Sequence, residues 1–317
     1  MRICIGVITR NRPRMLGSLL QSFAVMKSPV DVEVEFAIVE NNDALTLDQI
    51  IKDNLPGKVV YYELETTLGI SAARNHVLEI SLRNDFDLTT FIDDDQVVAE
   101  DWLVKLVARQ QSGDLDLTGG PQLVQPIPKQ VSLLKRMIGK NLETLRLGHI
   151  QKADKQFEEG TDHQVVLHTN NWMVKNEFLE KTGLRFDEEF GFAGGEDAAF
   201  YYAVCENGGK TGWAPNSLTY EELPPSRLSL GYQYRRACDQ TTQSFNPSAR
   251  KASIFFSIKT VISCFVKILR AVLLGLLIIP TGGATLLKSV QIFGIAMGRI
   301  RGLLGKKSNH YQTVQGN

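Results

Sequence analysis

Apolar and polar residues fall in alternating blocks along the first third of the chain. Residues 3–9 form a short apolar run rich in β-branched side chains. Asn11-Arg12-Pro13 breaks it, and residues 15–26 carry apolar positions at helical spacing. The alternation continues, predicting strands over 32–40, 59–62 and 88–92 and helices over 47–54, 71–82 and 100–111. Strands that alternate with helices imply βαβ units and a mostly parallel α/β sheet flanked by helices. In such sheets ligands bind outside the carboxyl ends of the strands. Thr9, Glu40 and Asp93-Asp94-Asp95 each close a predicted strand, which places them on that edge.

Beyond residue 113 the pattern loosens. Pro121, Pro126 and Pro128 interrupt it, and a helix is predicted over 131–147. Two polar signals follow, Thr169-Asn170-Asn171-Trp172 and Gly194-Gly195-Glu196-Asp197, the second expected to open a helix reaching residue 207. Residues 254–279 are strongly apolar yet carry Lys259, Lys267 and Arg270. The longest uncharged stretch, 271–287, has 17 residues and is broken by Pro280 and Gly282-Gly283, at the short limit for a spanning helix. Residues 291–304 form a second amphipathic stretch with Arg299 and Arg301. Two basic, apolar helices joined by a Pro-Thr-Gly-Gly turn read as an interfacial membrane hairpin, ahead of the alternative of a helical pair packed on the body.

Charge sharpens that division. The 317 residues hold 35 basic and 35 acidic side chains, a formal net charge of zero. Residues 240–317, however, contain ten Lys and Arg and no Asp or Glu, leaving 25 basic and 35 acidic residues before them. An acidic body therefore carries a basic tail, which suits an anionic membrane surface, and nothing in the body asks for nucleic acid. An apolar content of 43% excludes a disordered chain. Cys4, Cys205, Cys238 and Cys264 lie far apart without a CxxC, as thiols of a reducing compartment do. The N-terminal residues read as a first strand rather than a signal peptide.

Asp93 and Asp95, one residue apart at a strand end, are hard oxygen donors suited to Mg²⁺ or Mn²⁺ shared with substrate phosphates. Taken alone, such a run is more often an acidic loop or a helix N-cap cluster before Trp102; its place after a βαβαβ pattern favours the metal. Glu196 and Asp197 follow a glycine turn at a helix start, where a carboxylate can act as general base or simply favour the helix dipole. Arg74 on the first turns of a helix faces either a diphosphate or solvent. Gln233 and Arg236 are a phosphate-contact region or a solvated face, and Trp172 stacks on a sugar or fills the core. The five histidines show no metal-ligand spacing. No GxxxxGK[ST], GxGxxG or GxSxG is present, which removes the main support for ATPase, dinucleotide dehydrogenase and α/β-hydrolase readings.

The order of these features resembles the family 2 glycosyltransferases, which have a GT-A fold, a Rossmann-like sheet, and use nucleotide-diphosphate sugars. The resemblance runs through residues 5–13, 39–43, 70–75, 91–102 and 194–200. It is strongest toward succinoglycan-type exopolysaccharide β-glucosyltransferases. It implies that Thr9 and Glu40 line the nucleotide pocket, and that Arg74 lies near the diphosphate. It also implies that Asp93 and Asp94 belong to the donor site, that Asp95 with Asp93 holds the metal, and that Asp197, with Glu196 beside it, is the catalytic base. The sequence departs from the family where Asp is usual at Glu40, and where the related glucosyltransferases carry His at Tyr220. The processive subgroup carries QxxRW, but Ala237 follows Arg236 here, implying transfer of a single sugar.

The resulting expectation is an inverting, Mg²⁺- or Mn²⁺-dependent transfer of glucose from UDP-glucose to a polyprenyl-diphosphate-linked oligosaccharide. It would take place on the cytoplasmic face of the inner membrane. Residues 1–245 would form the catalytic domain, 250–305 the membrane-associating helices and 306–317 a disordered end. Two alternatives are a sugar-1-phosphate nucleotidyltransferase, whose Gly-rich basic loop residues 5–13 lack, and a non-catalytic glycosyltransferase-like scaffold. Retention of Asp93, Asp95, Glu196 and Asp197 argues against the scaffold.

Overall fold

The computed structural model describes residues 1–190, 194–250 and 254–306. The first four hydrophobic blocks become β1 (Arg2–Thr9), β2 (Glu33–Glu40), β3 (Val60–Leu64) and β4 (Leu88–Asp93). They are joined by α1 (Pro13–Ala24), α2 (Asp48–Asn54) and α3 (Ile70–Arg83), and α4 (Trp102–Ser112) follows. β1 pairs in parallel with β2 and β4, and β2 with β3. The register sets Thr9 beside Glu40 and Ile8 beside Asp93, so three strands end level with one another. Ile3, Ile5 and Val7 pack with Leu16 and Leu20 of α1 on one face, while Cys4 meets the cluster of Ala73 and Val77 on the other. Burial on both faces is why these strands are apolar runs rather than alternating patterns.

The middle of the chain supplies β5 (Gln96–Val98), β6 (Leu117–Gly119), β7 (Gln122–Val124), α5 (Leu133–Glu158) and β8 (Trp172–Lys175). Then come α6 (Asn176–Thr182), α7 (Glu196–Glu206), β9 (Thr211–Trp213) and β10 (Thr219–Glu221). The main sheet runs β3-β2-β1-β4-β8-β6-β9, with β8 antiparallel to both its neighbours. A small second sheet, β5-β10-β7, sets Glu221 against Gln96 and so beside the acidic run. Trp172 is wholly buried with Phe91, Phe186 and Phe200, so of its two readings the core is the one the fold adopts. Helix α5 extends past the predicted end at 147. Its apolar periodicity fades there, but Ala153 is still buried and a Lys155–Glu159 pair spans the last turn.

The tail forms α8 (Leu230–Arg250), α9 (Ile254–Leu276) and α10 (Leu286–Leu303). The expected domain boundary between 245 and 250 lies within α8, which runs on without a break. α10 lies along α8: a Cβ at Gly298 would come within 2.4 Å of the Cys238 carbonyl, and one at Gly294 within 2.7 Å of the Tyr234 carbonyl. The Ser289 hydroxyl donates to the Ala271 carbonyl of α9 at 2.7 Å. The packed alternative therefore describes α10. α9 keeps an outer apolar face, where Val261, Phe265, Leu269, Val272 and Leu276 are each more than half exposed. Among the described residues no helix is long and apolar enough to cross a membrane. The expected disordered end falls, apart from Lys306, outside the described residues.

Candidate active site

The level strand ends form the floor of a cavity of about 1010 Å³, walled by α3, α5, the start of α7 and the first turns of α8. The three aspartates on that floor have different partners. Asp94 accepts from Thr9 Oγ1 at 2.8 Å and from Arg12 Nη1 at 2.7 Å, so both its oxygens are engaged. Asp93 is the most open of the three and lies 3.4 Å from Arg74 Nη2. Asp95 is buried and paired with Arg227 at 2.9 Å and more loosely with Arg12 at 3.5 Å. Burial, with Glu221 and Asp93 close by, outweighs Arg227 and pushes the Asp95 carboxyl up to about 6. Burial likewise raises Asp93 and Asp94.

Arg74 sits in the second turn of α3, 5% exposed. Its Nη1 donates to Glu196 Oε1 at 2.5 Å while Nη2 faces Asp93, so one guanidinium joins the acidic strand end to the start of α7. Burial disfavours the charge on Arg74, but Glu196, Asp93 and Asp197 outweigh burial and raise its pKa. Glu196 is therefore committed to Arg74 through one oxygen. Its other oxygen, Oε2, is buried and lacks a hydrogen-bond partner among the described residues. Gly194 and Gly195 have φ of 79° and 99°, left-handed conformations that turn the chain sharply into α7 and set Asp197 on the cavity wall. Asp197 Oδ1 accepts from the Ala198 amide at 2.8 Å, and Oδ2 meets His168 Nδ1 at 2.8 Å. Burial would raise the Asp197 pKa, but the His168 bond and charge, with Arg74, leave it below the ordinary carboxylate range.

Thr9, Arg74, Asp93, Asp94, Asp95, Glu196 and Asp197 thus converge on one cavity. Glu40 does not join them. It accepts from the Thr46 amide and hydroxyl at 2.8 and 2.6 Å and from the Tyr62 hydroxyl, which turns its carboxylate into the loop after β2. Asn41 lines the cavity in its place and holds the loop before α3, accepting from the Gly69 amide at 2.9 Å. Gln233 is buried and donates to the Arg227 carbonyl at 2.9 Å, while Arg236 lines the cavity. Arg12, Arg146, His168, Glu221 and Arg227 are given no role by any motif that the sequence shows for the site. Glu221 bridges Arg146 at 2.6 Å and Arg227 at 3.0 Å. These residues are scattered from position 12 to position 227, so only pairing in space reveals them; the Arg12-Pro13 break is a local sign for the first of them.

Asp93 and Asp95 are the residues able to hold a divalent cation. The described residues contain no cluster of three or more His, Cys, Asp or Glu arranged as a ready ligand set. A cation on two carboxylates plus substrate phosphate oxygens is the usual Mg²⁺ arrangement. Burial first, and then the neighbouring Glu221 and Asp93 carboxylates, raise Asp95, and a cation beside that carboxylate cluster would offset the repulsion.

The family model described as Glycosyltransferase like family 2 matches residues 2–238. A curated relative, the succinoglycan biosynthesis protein ExoM of Rhizobium meliloti, is 26% identical over 249 residues, covering 74% of this chain and 72% of ExoM. The fold is shared with S. aureus TarS 1–349 in complex with UDP, at 14% identity and a TM-score of 0.51, covering 96% of this chain and 92% of that one. In a longer TarS structure the match covers 44% of that chain. It is also shared with the mannosyltransferase PcManGT from Pyrobaculum calidifontis in complex with GDP-Man and Mn²⁺, at 18% identity and a TM-score of 0.53, covering 79% and 65%.

Proposed function

The chain belongs to glycosyltransferase-like family 2, and on that premise we propose that it transfers glucose from UDP-glucose, with inversion, to a lipid-linked oligosaccharide of exopolysaccharide or surface-polysaccharide synthesis. Family, relatives and fold together make it a GT-A glycosyltransferase. The observation that carries the finer reading is the convergence of Arg74, Asp93 and Asp95 with an ionised Asp197 in one cavity.

The donor diphosphate lies across the strand ends, where Arg74 opposes its charge and Thr9 and Asn41 line its path. A Mg²⁺ or Mn²⁺ ion held by Asp93 and Asp95 would neutralise charge building on the departing nucleoside diphosphate. Asp197 takes the proton from the acceptor hydroxyl, and Glu196 stays bound to Arg74. General-base help of this kind contributes about 10²–10⁴-fold. Relatives support the donor class: TarS is known with UDP and PcManGT with GDP-Man and Mn²⁺.

The tail supports the acceptor class and the site of action, the cytoplasmic face of the inner membrane. The exposed apolar face of α9 and the ten basic residues of 240–317 suit an anionic leaflet, each cation near it contributing about 1 kcal/mol.

Asp197→Asn tests the reading. Donor binding should persist while glucose transfer falls at least about a hundredfold; near-wild-type turnover would remove Asp197 from the mechanism. Product analysis separates the competing enzyme class, because a nucleotidyltransferase releases pyrophosphate where a glycosyltransferase releases a nucleoside diphosphate.

A further inference from the structure

His168 belongs to none of the motifs that carry the family resemblance, yet its ring meets the proposed base directly. It stands just before the short helical turn Thr169–Asn171, on the cavity wall opposite α7. That turn is fixed from beneath. Asn171 is buried, accepts from Trp102 Nε1 at 2.7 Å, and donates to the carbonyls of Pro121 and Ser217 at 3.0 and 2.7 Å. His168 therefore extends from an anchored loop toward a carboxylate 29 residues later in the chain.

On the other side, among the described residues, Asp197 is hydrogen-bonded by its own helix, through the Ala198 amide. An amide from the neighbouring residue fixes the first oxygen but leaves the carboxylate plane free to swing about it. The bond from His168 Nδ1 to Oδ2, at 2.8 Å, supplies the second point that defines the plane. We propose that His168 is a positioning residue for Asp197, orienting the carboxylate toward the acceptor hydroxyl without touching substrate chemistry. The role rests on the reading of Asp197 as the base. The bland competitor is a partly exposed ion pair, and such pairs contribute little to stability. Orientation is another matter, since supporting hydrogen bonds around reactive groups commonly set 10–100-fold of activity.

Which atom donates can be tested by substitution. An Asn side chain places its amide nitrogen near the position of histidine Nδ1, whereas a Gln side chain places it near Nε2. His168→Ala and His168→Gln should lower kcat about 10–100-fold with the donor KM within about twofold, and His168→Asn should restore most of the loss. The double variant His168→Ala/Asp197→Asn should be no slower than Asp197→Asn alone, because His168 acts only through Asp197. Donor binding by titration calorimetry shows that each variant is folded, and His168→Asn against His168→Gln remains informative should the Ala variant fail to fold. Wild-type kcat in His168→Ala while Asp197→Asn is inactive would overturn the positioning role and leave the base standing. Additive losses in the double variant, or equal kcat for the Asn and Gln variants, would also overturn it. Near-wild-type turnover in Asp197→Asn would sink the base reading and the role of His168 together.

Discussion

Asp93, Asp94 and Asp95 are one acidic run in sequence and three different groups in the fold. Asp94 is held through both oxygens by Thr9 and Arg12, whereas Asp93 is partly open beside Arg74 and Asp95 is buried against Arg227 through Oδ2. Losing the pair in Asp93→Ala/Asp95→Ala should abolish transfer and remove any dependence of donor binding on Mg²⁺ or Mn²⁺, read by calorimetry with and without EDTA. Unchanged, EDTA-tolerant turnover would count against metal dependence. Arg74 is the reverse case, a single residue in sequence with three acidic neighbours in space. Arg74→Ala strands the buried carboxylate of Glu196 and should destabilise the protein by about 3–5 kcal/mol, measured by urea unfolding. Glu40 is held by Thr46 and Tyr62 outside the cavity lining, so its carboxylate contributes to stability. Burial would raise its pKa, but Thr46 and Tyr62 lower it below the ordinary carboxylate value. A group lowered on folding adds stability that is present above its unfolded pKa, about 4.3, and lost as pH falls through its folded pKa. Glu40→Gln should thus lower the Tm at pH 7, with the gap to wild type closing toward pH 3; a gap independent of pH would refute this.

At the scale of elements, the parallel half of the sheet and the glycine turn into α7 were legible because each rests on local pattern. Strand β1 is an apolar run because helices cover both its faces. The three-residue strands β5, β7 and β10 were not legible, since no period can be read from three residues. They matter nonetheless, for β10 brings Glu221 to Asp95 and Arg227. The α8–α10 contact was also hidden, because Gly294 and Gly298 look like weak helix positions until their close approach to α8 is seen. Gly298→Val should cost about 1–3 kcal/mol through overpacking against the Cys238 carbonyl. A Tm equal to wild type would mean that the two helices are not held together there.

For the whole molecule, the packing of α10 changes how membrane association should be tested. Deleting the tail from residue 250 would strip α10 from α8 and expose the face beneath, so loss of function would be ambiguous. Substitution on the outer face of α9 avoids that. Phe265→Asp with Leu269→Asp should release the protein from anionic vesicles in a sedimentation assay while leaving Tm unchanged, as both side chains are more than half exposed. Undiminished sedimentation would place the membrane contact elsewhere or nowhere.

The sequence by itself determined the alternating α/β order, the level of the first strand ends and the split between an acidic body and a basic tail. Each is set by residue type and spacing along the chain. The tertiary structure alone decided which charges meet. It joined Arg74 to Glu196, turned Glu40 away from the cavity, seated α10 on α8 and brought His168 to Asp197 across 29 residues. Hydrogen bonds and ion pairs act over about 3 Å, and distance along the chain carries no record of which side chains the fold will bring that close.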